Sequence, residues 1–112
     1  MCNQHQLNSI LDRAASAARD IFGEKLQSIL LYGSYARGDF DDESDIDVMI
    51  LLNVPREQLS SYRMDMARLS SDLGLQYDVV VSLHLQEYDL FRAYQDTLPF
   101  YRNVWKEGVQ IA

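Results

Sequence analysis

The sequence predicts an α/β (α+β) domain in which a small mixed β-sheet is flanked by helices. Three observations predict it. An amphipathic helical stretch opens the chain, three short apolar runs ending at or following turn residues suit strands, and a helical pattern separates the second run from the third. At 112 residues the expectation is one domain over residues 1–112.

Each element follows from its residues. Leu7, Ile10, Leu11, Ala14, Ala15, Ala18, Ile21 and Phe22 recur at spacings of three and four, with Asp12, Arg13, Arg19 and Asp20 opposite; Gly23 closes that helix. Gln27 to Tyr32 is a continuous apolar run too short for a helix and ending at Gly33, as a strand covered on both faces would be. Asp45 to Leu52 (DIDVMILL) predicts the second strand. Pro55 stands where a first helical turn tolerates it, and Leu59, Tyr62, Met66, Leu69 and Leu73 mark one face up to a stop at Gly74. Leu75 to Leu83 is rich in β-branched residues and alternates, predicting a third strand. Gln86 to Gly108 reads as two short helices separated near Pro99.

Composition excludes several classes. With 47% hydrophobic and 24% charged residues the chain is not of disordered type. Its net charge is -7, and eight Arg and two Lys are scattered over the length, so the basic stripe of a duplex-binding protein is missing. No direct nucleic-acid partner is expected. No apolar run approaches the roughly 20 residues of a membrane span, and the N-terminus has no basic segment followed by a hydrophobic one. No membrane partner and a cytoplasmic location are therefore expected. The single Cys2 has no disulfide partner, and His5 and His84 are isolated.

The acidity is local. Asp39, Asp41, Asp42, Glu43, Asp45 and Asp47 put six acids into nine residues, while the remainder carries 11 acids against 10 bases. Residues two apart on a strand share a face, with Cα atoms roughly 6.5 to 7 Å apart. Asp45 and Asp47 are thus expected side by side, opposite Ile46, Val48 and Ile50. Two adjacent carboxylates repel, so the arrangement favours a proton on one of them or a divalent cation, and oxygen-only ligands select Mg²⁺ or Mn²⁺. Two such ions about 3.5 to 4 Å apart can clamp the attacking and leaving oxygens of a phosphoryl or nucleotidyl transfer. Gly33-Ser34, directly after a buried strand, supplies a complementary part: glycine admits a phosphate close to the backbone, and the next amide and hydroxyl can donate to its oxygens. A P-loop reading fails because Asp39-Phe40 stands where Lys-Ser/Thr is required. An EF-hand reading fails because Ile50 would stand at the bidentate glutamate position.

GSYARGDFDDESDID, Gly33 to Asp47, resembles the Gly-Ser, ten intervening residues, Asp-x-Asp signature of the polymerase beta nucleotidyltransferase superfamily. The short chain is similar to its MNT-type minimal nucleotidyltransferases. The resemblance implies that superfamily's fold and two Mg²⁺ ions held by Asp45 and Asp47. It further implies that Asp78, inside QYDVVV, is a third metal-binding carboxylate on the third strand, binding the catalytic ion and helping to activate the acceptor hydroxyl. Gly33 and Ser34 would bind the nucleotide; Arg37 would either touch phosphate or pair with a neighbouring acid. Ser44 is expected to organise the strand entrance, and Asp39, Asp41, Asp42 and Glu43 to form a solvated loop.

By the same resemblance the protein is expected to be an antitoxin that moves AMP from ATP to a tyrosine of a cognate HEPN ribonuclease toxin, held in a hetero-oligomeric complex. Two alternatives stay open: neutralisation of that toxin by occlusion without catalysis, and nucleotidyl transfer to a small molecule or RNA. The aromatics Tyr88, Phe91, Tyr94, Phe100, Tyr101 and Trp105 crowd the last 25 residues, either covering the sheet or forming a partner surface.

Overall fold

The structure is a computed structural model that describes residues 3–41 and 43–112. Cys2 and Asp42 lie outside the described residues. Helix α1 (Gln4–Phe22) begins three residues earlier than the apolar pattern suggests, because Asn3 and Gln6 form a reciprocal capping box. A short 3-10 turn (Gly23–Lys25) leads into β1 (Leu26–Tyr32). Then follow a single-turn helix α2 (Ser34–Arg37), strand β2 (Ile46–Leu52), a 3-10 segment (Arg56–Tyr62), helix α3 (Arg63–Tyr77) and strand β3 (Val81–Glu87). Helices α4 (Tyr88–Tyr94) and α5 (Pro99–Glu107) and a two-residue strand β4 (Val109–Gln110) complete the chain.

The four strands lie in the order β3-β2-β1-β4. β1 runs antiparallel to both neighbours, whereas β2 and β3 are parallel, so the sheet is mixed as expected. Alternation along β1 and β2 divides the interior into two layers. Ile29, Leu31, Ile46, Val48, Ile50 and Leu52 pack against α1 and α3; Leu30, Met49 and Leu51 pack against Phe91 of α4 and Val104 of α5. Burying a side chain as fully as Ile50, 0% exposed, stabilises by about 1.5 to 3 kcal/mol. Among the described residues no helix is long and apolar enough to cross a membrane.

The expectation for the third strand needs correction. Gly74 does not stop α3, which continues through Leu75 to Tyr77 and ends on Asp78, a left-handed residue at φ 55° and ψ 51°. Gly74 serves the reversal instead: a Cβ there would meet the Val79 carbonyl oxygen at 2.8 Å, and the Val79 amide donates to Gly74. The strand therefore starts at Val81 and runs to Glu87, past the Gln86 at which a helix was expected. Tyr77 and Val79 are not strand residues, and Asp78 is not on β3. The expected helix from Pro55 is split, with 3-10 turns to Tyr62 before α3 begins.

The aromatic-rich end is part core and part surface. Phe91 is 1% exposed and meets Tyr101 edge-on, while Phe100 and Trp105 are 48% and 52% exposed.

Candidate functional site

Gly33 ends β1 with φ 75° and ψ −156°, a conformation costly for any residue with a Cβ. Space makes the same demand. A Cβ on Gly33 would fall on Oδ2 of Asp47, closer than atoms can approach, and 3.3 Å from its Cγ. Ser34 directly follows and begins α2, in which the Ala36 and Arg37 amides donate back to the Gly33 carbonyl. Gly38, at φ 85°, closes that turn, and the amides of Gly38 and Asp39 donate back to the Ser34 carbonyl.

Asp47 is the register partner of Tyr32 on β1 and of Ser82 on β3. By alternation it shares the sheet face of Met49 and Leu51, opposite Ile46 and Val48. Asp45 stands exposed immediately before β2, so the pair lies together at the mouth of that strand. Partial burial holds the Asp47 carboxyl above the ordinary carboxylate range, the Asp45 charge pushes it the same way, and Arg37 opposes them. Burial first and the Asp47 charge second also hold the Tyr32 hydroxyl above its ordinary value.

Arg37 settles into pairing with acids. Its Nε contacts Asp39 at 3.1 Å and its Nη1 contacts Glu107 of α5 at 3.2 Å, joining α2 to the far end of the chain. The Ser44 hydroxyl accepts from the Asp41 amide at 2.9 Å and donates to the Asp41 carboxylate at 3.2 Å, which also accepts from the Glu43 amide. Ser44 thus organises the strand entrance, as expected. Asp39, Asp41 and Glu43 are exposed, as a solvated loop requires.

Asp78 is the expected site residue that the structure does not bring to the pair. It is exposed at the end of α3, and Ile46 pairs with Val81, so the chain passes Asp78 before the ladder reaches Asp47. Ser82 is the residue actually beside Asp47 on β3. Three neighbours escaped the sequence reading: Tyr32, Ser82 and Glu107. Tyr32 stands next to Gly33 in sequence, a usable signal; Ser82 needed the strand register, and Glu107 needed the tertiary fold.

The donor set fits a divalent cation of Mg²⁺ type. Asp45 and Asp47 supply only oxygen, and the proton-favouring environment of Asp47 is relieved by any positive charge between them. Among the described residues no three of His, Cys, Asp and Glu converge on one point. Two carboxylates alone would leave most of a cation's coordination shell to water or other oxygen ligands, a sharing that Mg²⁺ accommodates.

A Methanocaldococcus jannaschii protein named "Putative protein adenylyltransferase MJ0604" is 36% identical over 93 residues, 83% of this chain and 85% of the relative. A second protein of that organism, "Putative protein adenylyltransferase MJ0141", is 40% identical over 62 residues. That similarity spans 55% of this chain and 61% of the relative's length. A crystal structure of a toxin-antitoxin with AMP-PNP has the same fold, with a TM-score of 0.60 at 24% identity over 91% of this chain and 72% of the other. A tri-AMPylated Shewanella oneidensis HEPN toxin in complex with MNT antitoxin aligns with a TM-score of 0.52 at 21% identity, over 94% of this chain and 71% of the other. Residues 11–111 match the family described as "Nucleotidyltransferase domain", and this chain belongs to that nucleotidyltransferase family.

Proposed function

We propose that this protein is an adenylyltransferase antitoxin that transfers AMP from ATP to a tyrosine hydroxyl of a HEPN toxin. The observation that supports this reading is the closeness of Gly33 to the Asp47 carboxylate, which leaves no room for a Cβ between the turn after β1 and the acid on β2. Support also comes from the adenylyltransferase names of its relatives and from the toxin-antitoxin complexes that share its fold.

In the proposed reaction the first turn of α2, with Gly33 and Ser34, receives the triphosphate. Asp45 and Asp47 would hold Mg²⁺, or Mn²⁺ in its place, up to two ions, which when bound neutralise the phosphate charge and stabilise the transition state. The tyrosine oxygen bonds to the α-phosphorus, the bond from that phosphorus to the bridging oxygen breaks, and pyrophosphate leaves with the electron pair. The phenolic proton goes to water at the open mouth of the site. Arg37, held by Asp39 and Glu107, contributes a positive charge that steadies the ionised form of Asp47.

The exposed Phe100 and Trp105 favour a second reading, neutralisation by occlusion. One experiment separates the two. The protein, the product of the adjacent gene and α-labelled ATP with Mg²⁺ are incubated, and the partner's mass is read before and after. Transfer predicts a gain of one or more AMP units that Asp45→Asn with Asp47→Asn abolishes together with protection from the toxin. An unlabelled partner overturns the catalytic reading, and protection that survives the double variant but not Trp105→Ala establishes occlusion.

A further inference from the structure

β3 is an edge strand: β2 pairs with one side, and among the described residues no strand pairs with the other. The Ile46 amide donates to the Val80 carbonyl at 2.9 Å, which fixes the parity of the parallel ladder. Val80, Ser82, His84 and Gln86 turn their backbone groups to β2, so the amides and carbonyls of Val81, Leu83 and Leu85 face outward. Among the described residues, no backbone hydrogen bond outside the ladder reaches those three.

That edge forms the floor of a groove. Six successive residues, Val81 to Gln86, line one cavity of about 960 Å³. Successive strand side chains point to opposite faces, so one cavity can touch all six only along the strand's edge. Its walls come from both layers of the fold, Arg56 and Arg63 on one side and Leu90 and Tyr101 on the other. A walled slot whose floor is an open ladder is shaped for an extended peptide, with main-chain bonds giving affinity and the walls giving choice. Charge narrows the choice. Arg56 and Arg63 face Glu57 alone among charged wall residues, although the chain as a whole carries -7. Ser82, among the groove's lining residues, is the register partner of Asp47.

The geometry points to the β3 edge as the docking slot for an extended, acidic segment of the acceptor protein, added as a fifth strand whose end passes Ser82 beside the Asp45–Asp47 pair. This deepens the adenylyltransferase reading and rests on it for the segment's identity as acceptor. The docking itself requires neither nucleotide nor metal.

The test uses the full chain without nucleotide and two probes: a ten-residue peptide of alternating Thr and Glu, and its Thr-Lys counterpart. Amide hydrogen exchange is followed residue by residue by NMR. At saturating Thr-Glu peptide, exchange at Val81, Leu83 and Leu85 should slow at least tenfold (~10-fold) while Ser82 and His84, already bonded to β2, change little. The Thr-Lys peptide should leave all five unchanged. Leu83→Pro removes an outward donor without touching the ladder to β2 and should abolish the protection. Arg56→Glu with Arg63→Glu, which alters only exposed wall residues, should reverse the charge preference. Absence of protection, equal protection by both peptides, or protection that rises with protein concentration alone, the mark of a second copy on the edge, overturns the proposal. Repeating the measurement with Asp45→Asn and Asp47→Asn keeps the outcomes apart: a failed transfer reaction leaves docking intact, and failed docking leaves transfer to be judged separately.

Discussion

Gly33 packs against the carboxylate of Asp47 so closely that a Cβ on the glycine would clash with Oδ2. The turn proposed to receive phosphate and the acid proposed to receive a cation thus compete for one space. Gly33→Ala must displace Asp47, and it must also place a Cβ at φ 75°, costing about 1 to 3 kcal/mol in stability. Nucleotidyl transfer should fall on the order of 100-fold, since a shift of about 1 Å at a reacting centre has that effect. Adding Asp47→Ala to Gly33→Ala should recover part of the stability and none of the activity. Thermal unfolding alongside label transfer checks both; independent, additive stability losses would show that the two residues do not share the space.

The partial burial of Asp47 gives a second expectation, for stability against pH. Its folded carboxyl binds a proton more tightly than the unfolded one, from burial first and from Asp45 second. The unfolded chain therefore loses this proton at lower pH, and stability falls as pH rises from the ordinary carboxylate value through the folded one. Above that window the penalty is complete; below it, absent. Asp47→Asn should accordingly be more stable than the parent at pH 7 in chelator and should lose the advantage at acid pH. Added Mg²⁺ should raise the melting temperature of the parent and leave the variant unmoved. Equal melting temperatures in chelator at pH 7 would contradict this account.

How much of this was legible in the sequence depends on the range of the interaction. Gly33, Ser34, Asp45 and Asp47 were legible because one strand end and one strand start carry them, and local alternation puts both acids on one face. Strand β1, strand β2 and the core face of α1 were legible for the same reason. The third strand was not. Leu75 to Val81 alternates as a strand would, but Leu75 to Tyr77 lie in a helix whose other residues pack on the sheet, and the reversal at Gly74 and Asp78 depends on the Val79 carbonyl folding back. Strand β4 was hidden because two residues carry no pattern; Gly108 permits it by letting the chain pass the Val104 and Leu31 carbonyls.

Arg37 supplies a third expectation. It pairs with two exposed acids, Asp39 and Glu107, and such solvent-screened pairs contribute little to stability. Its larger effect is on its neighbour: Arg37 lowers the proton affinity that burial gives Asp47. Arg37→Ala should leave the melting temperature nearly unchanged and shift the Asp47 titration, followed by carboxyl carbon NMR, to higher pH. Glu107→Gln should leave the salt bridge to Asp39 and shift Asp47 less. A titration that ignores Arg37→Ala would remove Arg37 from the site.

Asp78 separates the resemblance from the geometry. Resemblance makes it a third metal-binding acid; the structure makes it an exposed helix cap in the left-handed region that does not join Asp45 and Asp47 in a three-acid group. A left-handed cap tolerates Asn and Gly and rejects β-branched residues. Asp78→Gly should therefore match or exceed the parent in stability, and Asp78→Val should lose about 1 to 2 kcal/mol. Asp78→Asn keeps the cap and deletes the charge. With Asp78 where the structure places it, that variant should retain transfer activity within about threefold, against the far larger loss of about 100-fold or more for Asp45→Asn. Equal losses in the two variants would mean that the last turn of α3 unwinds when nucleotide binds, extending β3 backwards through Val80 and Val79 and carrying Asp78 onto the sheet. Hydrogen exchange at Tyr77, Asp78 and Val79, measured with and without ATP and Mg²⁺, reads that rearrangement directly.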